Sequence, residues 1–259
     1  MSSATVPVRD DDARMSLMEH LTELRNRLIK VALAIVIGMV IAFILYPQIF
    51  EFLLEPYKQI ANEQNSLAPD QLVQFDPLEG FNIRMKMAGY GGISLAMPVI
   101  LWQIWRFVTP GLYPHERRYA VPFVVSALGL FVLGAGLAYY TLPKALQFLV
   151  DIGGDDLITA FAPGKYFTLI IYMMLAFGIG FEFPILLIFL QMAGIIEADS
   201  LRKARRYAIV GICVLVAVIT PSGDPFSMLM LSVPMVIFYE VSIIVGRILE
   251  RRRSAAATA

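Results

Sequence analysis

Twenty consecutive residues without a charge, Val31 to Phe50, constrain this chain more than any other feature. As a helix rising about 1.5 Å per residue, such a run crosses the roughly 30 Å hydrocarbon core of a bilayer. Tyr119 to Pro143 repeats the pattern with twenty-five uncharged residues. Met87 to Trp105, Tyr166 to Ile196 and Pro225 to Tyr239 are further apolar stretches, the second broken by one charge, Glu182. With 58% hydrophobic residues, 16% charged and a mean hydropathy of +0.69, the 259-residue chain reads as an all-α integral membrane protein.

Taken in order, residues 1–15 form a polar tail expected to be mobile. The first apolar run is too long for a signal-peptide core. Ser16 and Glu19 have capping-box spacing, so a helix is expected to begin there. Over residues 16–30, Leu17, Leu21, Leu24 and Leu28 make one apolar stripe of an amphipathic cytoplasmic helix, opposite Glu19, Glu23 and Arg27. Six spans follow, at about 31–50, 87–108, 119–143, 166–192, 207–223 and 225–246. Pro47 marks the far end of the first. Beyond it Ile49, Phe52, Leu53 and Ile60 predict an amphipathic cap at the interface, bent at Pro56. Gly129, Gly134 and Gly136 would let the third span approach its neighbours. The apolar core of the fifth, Ala208 to Ile219, is only about 18 Å long as helix, so the last two spans are expected to form a hairpin that thins the bilayer. Residues 247–259 read as a basic, disordered tail.

Charge placement gives an orientation. Sixteen of the twenty-one Lys and Arg residues fall in the N-terminal segment, the loops around Arg117 and Arg205, and the C-terminal tail. The other five are Lys58, Arg84, Lys86, Lys144 and Lys165. The positive-inside rule then places both termini in the cytoplasm.

Phe107 to Arg118 lies between two apolar runs and is stopped from continuing as helix by Thr109-Pro110-Gly111 and Pro114. Its Glu116 either pairs with Arg117 or Arg118 or is held for a cationic partner. Glu23 likewise either pairs with Arg27 or joins Glu19 in an acidic spot at the membrane surface. Glu182 would cost roughly 2.5–3.5 kcal/mol as a charge in lipid, so it faces protein or water, or is neutral. Asp224, in the turn Thr220-Pro221-Ser222-Gly223-Asp224-Pro225, is either a helix cap or a functional acid. Glu240 is expected to pair with a tail arginine. The single Cys213 excludes an internal disulfide, and His20 and His115 offer no metal or haem set. No phosphate-binding loop, intramembrane protease constellation or nucleic-acid footprint is present, so neither an enzyme nor a cofactor is expected. A proton-coupled small-solute transporter using Glu182 is the alternative to a receptor, but no internal repeat supports it.

Five stretches together resemble the TatC family, the multi-spanning receptor subunit of the twin-arginine protein translocase. They are Glu19 to Leu28, Phe107 with Pro110 to Arg118, Phe181 to Pro184, Asp199 to Lys203 with Arg205-Arg206-Tyr207, and Thr220-Pro221 with Asp224 to Ser227. The resemblance implies a cupped bundle of six transmembrane helices in the bacterial cytoplasmic (inner) membrane. It implies that Glu23 and Glu116, with Arg25 and Phe107 nearby, bind twin-arginine signal peptides of folded precursors, whose export is driven by the proton-motive force. It places Glu182 on the concave face, and Asp224 and Pro221 at an outer turn needed after binding. It makes the short last spans a docking edge for the single-span partners TatA and TatB, and it implies self-association. The turn here reads Pro-Ser-Gly-Asp where some relatives have the shorter Pro-Pro-Asp.

Overall fold

The structure, a computed structural model, describes residues 17–63, 72, 74, 76–108, 120–153, 161–220 and 223–257. Among these there are eight helices and no strand: α1 Leu17–Ile44, α2 Tyr46–Glu63, α3 Glu79–Val108, α4 Ala120–Gly153, α5 Pro163–Gly180, α6 Phe183–Met192, α7 Ala198–Ile219 and α8 Pro225–Ala257. Five segments are long and apolar enough to cross a membrane: Met18–Ile44, Glu79–Phe107, Val121–Ile152, Pro163–Met192 and Pro225–Glu250. Much of their apolar surface faces outward, as Leu33, Val36, Ile37 and Val40 do on α1. That surface suits lipid and would be a liability in water.

Prolines set the breaks. Pro47 has no N–H for the carbonyl of Phe43, and the chain turns at Leu45 between α1 and α2. The first span therefore ends at Ile44, short of the expected 50, and residues 46–50 belong to α2. The expected helix over 16–30 is not separate: from Leu17 it is continuous with the span. Ser16, the expected cap, lies outside the described residues. Pro184 likewise divides the fourth span at Phe181-Glu182 into α5 and α6. At the other end, α8 runs on to Ala257, so residues 247–257 are helical where composition predicts disorder.

α5 is the central element, with ten of its eighteen residues buried. Phe167, Ile170, Phe177 and Phe181 pack with Met87 of α3, Leu142 and Leu146 of α4, and Leu231 and Met235 of α8. α2 lies against this core through Leu53, Tyr57 and Ile60, as the amphipathic pattern predicts. Two phenols fasten it: Tyr166 donates to the carbonyl of Leu53 at 2.7 Å and Tyr139 to that of Phe52 at 3.0 Å. α7 has just four buried residues, Ala198, Leu201, Ile212 and Val216. It packs along α8, where Tyr239 donates to the carbonyl of Leu201 at 2.6 Å.

Two crossings depend on glycine. A Cβ on Gly38 of α1 would lie 2.5 Å from the carbonyl oxygen of Gly92 on α3, so backbone meets backbone there. On α4, a Cβ at Gly134 would lie 2.5 Å from the carbonyl of Phe177. Gly129 and Gly136, expected to act in the same way, have nothing within 4 Å at that point. The expectation holds for Gly134 alone of the three. Thermal unfolding in detergent checks this: Gly38→Ala is expected to cost about 1–3 kcal/mol, as overpacked sites do. Gly129→Ala is expected to leave the transition unchanged or slightly raised.

Candidate functional site

The α1–α3 crossing lays the first turns of α1 against the last turns of α3, at the end of the bundle rich in Lys and Arg. Helical spacing puts His20, Glu23 and Arg27 on one side of α1, and Gln103 and Phe107 one turn apart on α3. The two rows meet in pairs. The His20 and Phe107 rings stack with centroids 4.6 Å apart and planes 24° from parallel. One turn along, the Arg27 guanidinium sits between Glu23 and Gln103. Its Nε donates to Glu23 Oε1 at 3.0 Å, its Nη2 donates to the same oxygen, and its Nη1 reaches Gln103 Oε1 at 3.5 Å. Glu23 Oε2 is buried and has no hydrogen-bond partner among the described residues.

Glu23 and Arg27 line a cleft of about 470 Å³ together with Met18, Glu19, Thr22, Asn26, Lys30 and Arg106. The cleft thus presents two carboxylates, two guanidinium groups and one ammonium. Arg25 is exposed and is not part of the lining. Glu116 and Pro221, both expected at functional positions, lie outside the described residues.

The other acids stand apart from this cleft. Glu182 occupies the turn between α5 and α6, where its N–H donates to the carbonyl of Ile179 at 3.0 Å. Its Oε1 is buried without a partner among the described residues. A carboxyl left so in a spanning segment costs stability. Asp224 is 2% exposed and caps α8, Oδ1 accepting from the Ser227 N–H at 2.6 Å. Of the two readings left open for Asp224, the capping role is present. Glu240 differs from expectation: it pairs with Arg205 of α7 at 2.6 Å rather than with a tail arginine. The two residues face each other across the α7–α8 seam, whereas tail arginines lie further along the same helix.

Sequence reasoning missed three contributors. His20 was weighed only as a metal ligand, yet it forms the aromatic contact with Phe107. Gln103 carried no signal beyond being a polar residue within an apolar run. Gln191 is buried in α6 and donates through Nε2 to the carbonyls of Leu187 at 3.2 Å and Ser242 at 3.1 Å, joining α6 to α8. An uncharged polar residue inside a span was the only available clue in both glutamine cases. Because the Asp224 cap ties down the start of α8, Asp224→Ala is expected to cost about 1 kcal/mol of stability and Asp224→Asn much less. Chemical or thermal unfolding in detergent measures the difference.

The chain is similar to known proteins of one family. The Sec-independent protein translocase protein (TatC) family matches residues 19–234. A Sec-independent protein translocase protein TatC from Frankia casuarinae is 41% identical over 249 residues, covering 93% of this chain and 68% of that one. Its counterpart from Aquifex aeolicus is 38% identical over 242 residues, covering 92% of this chain and 98% of the relative. A crystal structure of the twin-arginine translocase receptor TatC superposes with a TM-score of 0.75 at 38% identity, over 88% of this chain and 99% of that one.

Proposed function

The chain belongs to the TatC family of Sec-independent protein translocase proteins, and on that premise we propose that its α1–α3 cleft is the receptor site for twin-arginine signal peptides. The observation that carries this reading is the Glu23 carboxylate, set in the seam one turn of α1 from the His20–Phe107 stack and already holding a guanidinium. A guanidinium is permanently charged and offers a planar fork of donors that a carboxylate accepts and that an ammonium cannot copy. Glu116, next along the chain from the Phe107 end of α3, supplies the second carboxylate for the second arginine. Arg25, exposed two residues from Glu23, orients the acidic parts of the ligand's flanking chain.

The rest of the molecule suits a multi-pass translocase core. Both termini lie in the cytoplasm by the positive-inside rule, in a bacterial cytoplasmic membrane, and α7 is the short fifth of six crossings. On α7, Val210, Val214 and Val218 are exposed in one stripe at intervals of four, an apolar face that no described helix covers. Single-span TatA- and TatB-type subunits dock on this edge, and copies of the chain associate with one another. Glu182 and the turn at Pro221 and Asp224 act after binding, in transport of the folded precursor driven by the proton-motive force. Membership of a translocase family displaces the small-solute transporter alternative, since Glu182 then serves a later step of protein export.

Binding of a labelled peptide to the purified protein in detergent tests the assignment, with twin-arginine and twin-lysine forms compared on wild type and on Glu116→Gln and Glu23→Gln. Wild type is expected to prefer the arginine form, and either variant to lose about tenfold or more of that binding, as when one partner of a desolvated charge pair is removed. Equal binding of both peptides by wild type would overturn the assignment.

A further inference from the structure

We propose that Arg27 is an internal stand-in for the ligand's guanidinium, occupying Glu23 in the resting protein so that a signal-peptide arginine binds by displacing it. The proposal rests on the receptor reading of the α1–α3 cleft and concerns how that site discriminates strong ligands from weak ones.

Three observations support displacement over simple addition. The contact is far more committed than an ordinary exposed i,i+4 pair. Nε and Nη2 of Arg27 both donate to Glu23 Oε1, Nη1 is held by Gln103 from the neighbouring helix, and the side chain is only 14% exposed. Next, neither oxygen of the Glu23 carboxylate is ready for a newcomer: Oε1 already accepts from Arg27, and Oε2 is buried with no partner among the described residues. An arriving guanidinium therefore reaches Glu23 only if the carboxylate turns or Arg27 leaves. Lastly, three cationic groups, Arg27, Lys30 and Arg106, line the cleft beside two carboxylates, Glu19 and Glu23, so a dicationic ligand meets an excess of positive charge until Arg27 swings out.

The consequence is quantitative. If Glu23 is free of Arg27 only a fraction f of the time, every cationic ligand binds with its intrinsic dissociation constant divided by f. The penalty is common to arginine and lysine ligands, so it leaves their ratio unchanged. It raises the threshold that both must pass. Peptides that rely on charge alone fall below useful affinity, while those that reproduce the forked contact remain above it. Arg27 thus sets the stringency of the receptor, and Gln103 sets how firmly Arg27 is held.

Peptide binding to purified Arg27→Gln tests this, measured beside wild type with twin-arginine and twin-lysine peptides. Both are expected to bind more tightly by the same factor, roughly 3- to 10-fold, which corresponds to Arg27 occupying Glu23 about two thirds to nine tenths of the time. Arg27→Lys, which keeps the charge but loses the fork, is expected to tighten binding by a smaller factor. Gln103→Leu, which releases Nη1, should do the same, and these two variants decide the matter if Arg27→Gln fails to fold. Unchanged or weaker binding in the folded variants would overturn the stand-in role while leaving the receptor assignment intact. If wild type itself does not distinguish arginine from lysine, the receptor reading fails and the stand-in role fails with it.

Discussion

The contact between Gly38 and Gly92 governs the geometry of this protein's basic end. With no side chain between them, α1 and α3 meet backbone to backbone, and the rotation and height of one helix against the other are fixed at that point. From there α1 continues about five turns back to His20 and α3 about four turns on to Phe107. The stacking of those rings and the Glu23–Arg27–Gln103 contact follow from that register. A side chain at the crossing would separate the helices, and the resulting error would be carried along both to the cleft. The seam of polar side chains proposed as the receptor site is thereby held by an apolar contact well inside the span.

α5 plays the matching part for the opposite half. Its buried face joins α3, α4 and α8, while hydrogen bonds from Tyr166 and Tyr139 fix α2 across the end. The break at Phe181-Glu182 interrupts this rigid helix where Pro184 removes a donor, and it leaves a carboxyl oxygen buried without a partner among the described residues. By contrast, α7 is attached to little except α8, through Tyr239, the Arg205–Glu240 pair and the bond from the Ala198 N–H to Glu250. The molecule thus combines a firmly packed core with one thinly attached helix whose outer face is apolar. Under the proposed function, that division keeps the cleft in register and leaves an apolar edge for single-span partners.

Much of this was legible in the sequence because hydrophobic length and proline position act locally. The uncharged runs gave the long spans, and the alternation around Leu53 and Ile60 gave the lateral cap. The short Ala208–Ile219 core already set the expected fifth span apart, and α7 is not among the five segments long and apolar enough to cross a membrane. Helix ends were less legible: whether α1 stops at Ile44 or Phe50 depends on a single missing N–H at Pro47, and whether residues 247–257 are helical depends on continuation from α8. Pairings across helices were the least legible. Intrahelical spacing found Glu23 with Arg27, but nothing local reveals that Gln103 completes the contact, that Arg205 rather than a tail arginine meets Glu240, or that Gly134 lies at a crossing when Gly129 and Gly136 do not. Those facts belong to the register between helices, which the chain specifies only through packing.

On the proposed function, the ligand's arginines enter the seam between α1 and α3. Site-directed cross-linking tests it most directly, using a twin-arginine peptide with a short thiol-reactive group beside the arginine pair and a Cys213→Ala background, because the native thiol is exposed. Single cysteines would be placed at Thr22 and Asn26 in the cleft, and at Val214 on α7 and Thr168 on α5. The account predicts rapid adduct formation at Thr22→Cys and Asn26→Cys that excess unlabelled twin-arginine peptide suppresses, with little at the other two. Preferential, competable labelling at Val214→Cys or Thr168→Cys would contradict it.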